Sequence, residues 1–291
     1  MDTATNTVTT LAQRIAARLG QIDGVIAVVL GGSWARGTAR PDSDVDLGIY
    51  YQPAHPPSLA ALRQLAQEID DRRLPDLVTD FGEWGPWING GAWLQLAGIH
   101  VDWLFRDLDR VAHTIDECRA GRPTCDYQIG HPHGFHNHMY MGEVHVCRPL
   151  HDPRGTLAQL KTLTAVYPPA LKQALINKYL FEAQFSLDIA RKPAERGDAA
   201  YVAGCLFRCV ACLVQVLFAL NEQYFLNEKG SVDAIEGFAL HPDGFGASIA
   251  TALGERREAG VAQLDALVHD VRQLCASVPG LWAAVPFRNL R

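Results

Sequence analysis

Hydrophobic and polar positions follow two rhythms along this chain. Val8, Leu11, Ala12, Ile15 and Leu19 recur at helical spacing, and Gly20 offers a stop. Val25 to Leu30 is a short β-branched run, which predicts a buried strand leading into Gly31-Gly32. A short helix is expected from Ser33 and a second strand from Asp44 to Tyr51. Pro53, Pro56 and Pro57 then break the chain, and Ser58 is placed to cap a helix from Leu59 to Asp71. Leu77-Val78-Thr79 predicts a third short strand, and the Gly- and Trp-rich stretch from Phe81 to Gly91 a loop. Trp93 to Phe105 reads as a hairpin turning near Gly98, followed by a helix from Asp107 to Ala120.

Beyond about residue 155 only the helical rhythm remains. Leu171, Leu175 and Tyr179 form one stripe, with Ile176, Leu180, Ala183 and Leu187 beside it. Ala199 to Leu226 predicts a second long helix and Val261 to Val278 a third. The expected fold class is α+β, a mixed sheet flanked by helices and followed by an all-helical C-terminal domain. The expected domains are residues 1–150 and 151–291.

Composition narrows the class. A chain of 291 residues with 48% hydrophobic content can bury a sizeable core. A net charge of −6 and a pI near 6.0 argue against a general nucleic-acid binder. Tyr201 to Leu220 is long and apolar enough to span a bilayer, but Arg208 and Gln215 interrupt it, so a buried bundle helix is expected and no membrane partner. The start lacks a basic segment followed by an apolar core, and the seven cysteines suit reduced thiols, so a cytoplasmic location is expected.

The richest chemistry lies between Gly31 and Leu47. Asp44 and Asp46 stand at i and i+2 of an apolar run, which on a strand puts both on one face. Two adjacent carboxylates repel unless a cation lies between them, and oxygen ligands suit Mg²⁺. Glycines at 31 and 32 let backbone N–H groups approach a phosphate, and Ser33 adds a hydroxyl. Together these are the equipment of phosphoryl or nucleotidyl transfer.

Gly32-Ser33, Gly37, Ser43-Asp44 and Asp46 resemble the G-S-x3-G-x5-S-D-x-D signature of the DNA polymerase β-like nucleotidyltransferase superfamily. The resemblance implies a third carboxylate on a later strand. Asp102 is the candidate, because Val101, Trp103 and Phe105 alternate with it and turn it to the opposite face. It further implies two Mg²⁺ ions held by Asp44, Asp46 and Asp102. An NTP, with ATP the expected donor, would be contacted by Gly32, Ser33, Arg36 and Ser43. The layout is similar to that of the aminoglycoside and lincosamide nucleotidyltransferases, which implies a hydroxyl-bearing small molecule, such as an antibiotic, as acceptor. Members of that group commonly use a carboxylate base. Glu143 is the first candidate here, with Glu83 and Glu182 as alternatives. A protein partner or tRNA as acceptor, and a non-catalytic nucleotide-binding module, are the competing readings. A homodimer is compatible with all of them.

Other constellations are less specific. Four histidines fall between His131 and His138, without the spacing of a structural zinc site, and contact with a nucleotide or acceptor is the preferred reading. Trp84, Trp87 and Trp93 either form a lid or seal one end of the sheet. Arg208, Gln215 and Glu222 recur every seven residues, so they either pair with a neighbouring helix or face a cleft. Cys205, Cys209 and Cys212 share another face and read as small buried thiols.

Overall fold

Five strands, β1 (Ala27–Leu30), β2 (Val45–Tyr51), β3 (Gly91–Leu96), β4 (Ile99–Asp107) and β7 (Arg148–His151), form one mixed sheet in the order β3-β4-β2-β1-β7. In this computed structural model the described residues are 3–255 and 258–281. β2 and β4 run parallel, and every other neighbouring pair in this sheet is antiparallel. Two-residue strands β5 (Cys125–Asp126) and β6 (Phe135–His136) form a separate hairpin. Two compact units are resolved, one of Met1–Asp116 with Cys125–Val166, the other of Glu117–Thr124 with Tyr167–Arg291.

In the first unit, helices α1 (Thr3–Leu19) and α3 (Leu59–Ile69) bury their apolar stripes against one face of the sheet. Val8, Ala12, Ile15 and Leu19 of α1 join Leu62, Leu65 and Ala66 of α3. The sheet contributes Val28, Leu30, Val45, Leu47, Ile49, Val101, Trp103 and Phe105 to this core. Alternation on a strand therefore turns Asp46, Gly48 and Tyr50 of β2, and Asp102, Leu104 and Arg106 of β4, to the other face. That second face also receives α2 (Gly32–Arg36) and α5 (His138–Val146). Ser58 caps α3 through the Ala61 N–H, as its position predicts.

The expected third strand at 77–79 is not formed. Val78 makes a single bridge to Ala92, and the Thr79 hydroxyl accepts from the Gly91 N–H. The residue-150 boundary falls inside β7, whose ladder with β1 keeps it in the first unit, together with α6 (Thr156–Leu163). Helix α4 (Leu108–Arg119) contains the division at Asp116.

The second unit is helical. Helix α7 (Pro169–Glu195) and α8 (Ala199–Leu220) form a long hairpin, with α9 (Ser231–Ile235), α10 (Phe245–Glu255) and α11 (Glu258–Ser277) packed on it. Gly260 of α11 approaches α10 closely, since a Cβ there would lie 2.5 Å from the Ala252 carbonyl oxygen. Helix α8 meets the length and apolarity of a membrane span, and 72% of its most apolar window is buried inside the structure. It stops at Leu220, not at Leu226. Asn221 bonds back to the Leu217 carbonyl and across to Leu240, and Glu222 takes a positive φ of 56°. The seven-residue stripe is therefore split. Arg208 pairs with Glu182 of α7 at 2.5 Å, Gln215 is buried, and Glu222, beyond the helix, pairs with Lys172 at 2.9 Å. Cys205, Cys209 and Cys212 are buried thiols.

A buried carboxylate ties α3 to the sheet edge. Asp70 accepts from the backbone N–H groups of Arg72 and Gln95 and from the Arg72 guanidinium at 2.8 and 3.0 Å. Asp70→Ala strands those donors, and its expected cost is roughly 2–4 kcal/mol in urea unfolding followed by tryptophan fluorescence. Hydrogen bonding from Arg72 holds the Asp70 carboxyl below its ordinary value, against burial. As pH falls the unfolded state takes up the proton first. The contribution is thus full above the unfolded value of about 3.9 and disappears as pH falls through the lower folded one. The stability gap between wild type and Asp70→Asn should shrink under acid. A constant gap would show that the charge of Asp70 does not carry it.

Candidate active site

The signature segment folds so that its two halves touch. Leu30 of β1 leads into Gly31, whose N–H donates to the Asp46 carbonyl at 2.8 Å. Gly32 has φ 56°, and a Cβ added to it would lie 1.8 Å from Asp46 Oδ2. A glycine is required here twice, by its left-handed backbone and by the carboxylate against it. Helix α2 ends on Gly37 in the left-handed region, with φ 74°. The loop that follows is braced by Ser43, whose hydroxyl accepts from the Arg40 N–H at 2.9 Å and whose carbonyl accepts from the Trp34 indole at 3.2 Å. Arg36 is exposed and reaches back to the Gly32 carbonyl at 3.4 Å. Arg148 of β7 donates to the Ala35 carbonyl at 3.0 Å, fixing α2 from the other side.

Asp46 and Asp102 stand directly opposite each other in the parallel β2–β4 ladder, both half-buried. The strand begins at Val45, so Asp44 lies just before it and is exposed. Expecting both aspartates inside the strand placed its start one residue too early. Burial pushes the Asp46 carboxyl up to about 7, and the charges of Asp102, Asp44 and Glu143 add to this against the pull of Arg106. Among the described residues no three His, Cys, Asp or Glu side chains are gathered as a metal-holding group. The fit of a cation therefore rests on the Asp46–Asp102 pair and on its excess of like charge, which an oxygen-seeking ion would relieve.

Arg106 is the site residue that sequence reasoning missed. It lies four residues beyond Asp102 on the same face and opposite Tyr50, and its side chain is 3% exposed. Its guanidinium grips both oxygens of Glu143 at 2.8 and 2.9 Å and lies 5.4 Å from the centre of the Tyr140 ring. Burial opposes its charge, but the Glu143 carboxylate and the Tyr140 and Tyr50 phenols outweigh that and hold it above its ordinary value. The alternating strand pattern was the signal that could have found it, since 102, 104 and 106 share one face. Glu143 itself, on α5, is 28% exposed.

The other candidates do not join this group. Glu83 accepts from the Asp80 N–H within its own turn, and Glu182 belongs to the second unit, paired with Arg208. Trp84 stacks on Trp93 at 4.5 Å, and Trp87 stacks on Phe135 at 5.1 Å. Gln128, buried, donates to the Trp84 carbonyl, and Asp126 accepts from the Trp87 indole at 3.1 Å. The tryptophan loop is thus strapped to the β5–β6 hairpin and not hung as a free lid. His136 lies in β6 and His138 opens α5, both buried.

Residues 12–87 match the family described as nucleotidyltransferase domain. Residues 138–229 match a domain of unknown function (DUF4037). Among solved structures, a nucleotidyltransferase-like protein from Exiguobacterium sibiricum 255-15 is similar at 9% identity, covering 93% of this chain and 73% of its own, with a TM-score of 0.40. No curated protein matches the chain.

Two outcomes are expected of the site without ligand. In chelator at pH 8, Asp46→Asn should stabilise the protein by roughly 2–4 kcal/mol. The unfolded carboxyl ionises near 4 and the folded one near 7, so wild-type stability falls as pH rises between them and stays low above. The advantage of Asn should accordingly vanish by about pH 4, and an advantage absent at pH 8 would mean the carboxylates are not strained together. Arg106→Met leaves Glu143 without its partner and should cost roughly 3–5 kcal/mol, with much of it recovered in Arg106→Met/Glu143→Leu. Equal stability of the single and double variants in urea titrations would remove the pairing argument.

Proposed function

We propose that this chain, whose residues 12–87 match a nucleotidyltransferase domain, transfers a nucleoside monophosphate from an NTP to a hydroxyl, releasing pyrophosphate. The observation that carries the reading is the opposition of Asp46 and Asp102 on parallel strands, with Gly32 closed against Asp46. Asp46 and Asp102, with Asp44 beside them, would hold Mg²⁺, two ions being expected. When bound, the ions supply charge neutralisation on the phosphates and at the attacking oxygen. The Gly32-Ser33 turn, next to these carboxylates, would take the outer phosphates of the NTP, expected to be ATP. Arg36 is exposed near the turn for the same task, while Ser43 serves through the loop it braces.

In this reading Glu143 would receive the proton of the acceptor hydroxyl. Arg106 engages both of its oxygens, yet each keeps a further lone pair, so the ion pair orients the group without closing it. The net charge of −6 supports a small, neutral or cationic acceptor, such as an antibiotic, over tRNA.

Incubation with labelled NTPs, Mg²⁺ and a panel of aminoglycosides, lincosamides, bulk tRNA and the protein itself tests this. A small hydroxyl compound should gain one nucleoside monophosphate in stoichiometry with pyrophosphate. Asp46→Asn and Asp102→Asn should each lower the rate by about a hundredfold or more. Near-normal turnover in both variants would sink the metal-carboxylate reading, and label on tRNA or protein would replace the small-molecule acceptor.

A further inference from the structure

The β5–β6 hairpin carries chemistry that nucleotidyl transfer does not use. Cys125 and His136 oppose each other in its ladder. Cys125 Sγ lies 3.8 Å from Nε2 of His136 and 3.7 Å from the carbonyl oxygen of His133. His136 is 1% exposed, whereas Cys125 is partly open to solvent. A buried imidazole thus lies beside a partly exposed cysteine, whose thiol also donates to the His133 carbonyl.

The contrast with the remaining cysteines is sharp. The other six are all buried. Burial pushes the thiols of Cys118, Cys147 and Cys275 up, to about 12, 11 and 11. Such thiols are protonated and screened from reagents near neutral pH. Gly134 also shapes the site, because a Cβ there would lie 2.6 Å from Cys125 Sγ. The hairpin has no spare room on that side, so a reagent must arrive from the solvent side.

We propose that the Cys125–His136 pair makes Cys125 the reactive thiol of this protein, a site of S-thiolation by small-molecule disulfides. The Cys125 proton passes to Nε2 of His136, and the imidazolium stabilises the thiolate beside it. The thiolate sulfur attacks one sulfur of the disulfide. A Cys125–sulfur bond forms as the reagent's own S–S bond breaks, and the second half leaves as a thiolate carrying the electron pair. Cys125 is oxidised and the departing sulfur reduced, with no other reactant. This step is independent of the nucleotidyltransferase reading.

The test uses the native full chain and the aromatic disulfide dithionitrobenzoate, with peptide mass spectrometry to locate the adduct. One thiol should react in a fast phase, its adduct should map to Cys125, and the phase should be missing from Cys125→Ser. Oxidised glutathione should modify the same residue first. Per thiol, native Cys125 should outpace the cysteines of the urea-unfolded chain. His136→Asn, where it retains the wild-type circular dichroism, should slow the phase at least tenfold. A fast phase surviving in Cys125→Ser, or a native thiol slower than the unfolded ones, would overturn the proposal. The comparison with unfolded thiols decides the role of the pair even if the His136 variant fails to fold.

Discussion

Holding two like charges side by side at the middle of a half-buried sheet face is the constraint around which the first unit is arranged. Asp46 and Asp102 are in register because β2 and β4 are parallel neighbours. The connection between them contains α3 and the β3 edge strand, long enough for the crossover that parallel pairing demands. The opposite face is a fully packed hydrophobic core, with Leu47 and Trp103 inaccessible to solvent, and that packing supplies the stability which the carboxylates reduce. Around the acids the smallest residues are used. Gly32 adjoins Asp46, and Gly48, two residues along β2, would bring a Cβ to 3.0 Å from Val29. A Cβ at Gly32 would displace the Asp46 carboxylate, and one at Gly48 would press on the Val29 and Tyr50 side chains.

Much of this was legible because the local rules agree with the global fold. The helical stripe of α1, the Ser58 cap and the hairpin at Gly98 are all short-range features, and all appear where the pattern puts them. Asp102 was legible because Val101, Trp103 and Phe105 needed the core and left it the other face. What was not legible depended on long-range partners. Arg106 looks like a polar strand end, and its burial makes sense only with Glu143, 37 residues later. β7 is four residues containing Pro149, too short to show a period, yet it pairs with β1 and moves the unit boundary past 150. Beyond Leu220 the polar Asn221-Glu222-Gln223 gives way to Tyr224-Phe225-Leu226, and Phe225 is buried, but outside a helix. Burial there comes from tertiary packing, so hydrophobicity overran the true stop at Asn221.

Three carboxylates of the first unit show how environment sorts one chemical group into different tasks. Asp70 is fully buried and receives backbone and guanidinium donors, which favour its charged form. Glu143 is half-buried, and one buried guanidinium engages both its oxygens. Asp46 faces Asp102 and senses Asp44 and Glu143, and the attraction of Arg106 is outweighed. Only the last arrangement asks for a positive charge from outside. A structural aspartate gains nothing from such a position, because its ionised form is repelled and its neutral form competes with solvent. Of these three carboxylates, the fold leaves Asp46 short of positive charge. Counting acidic residues would have ranked Asp70 beside it, although the donors around Asp70 already do what a metal would do.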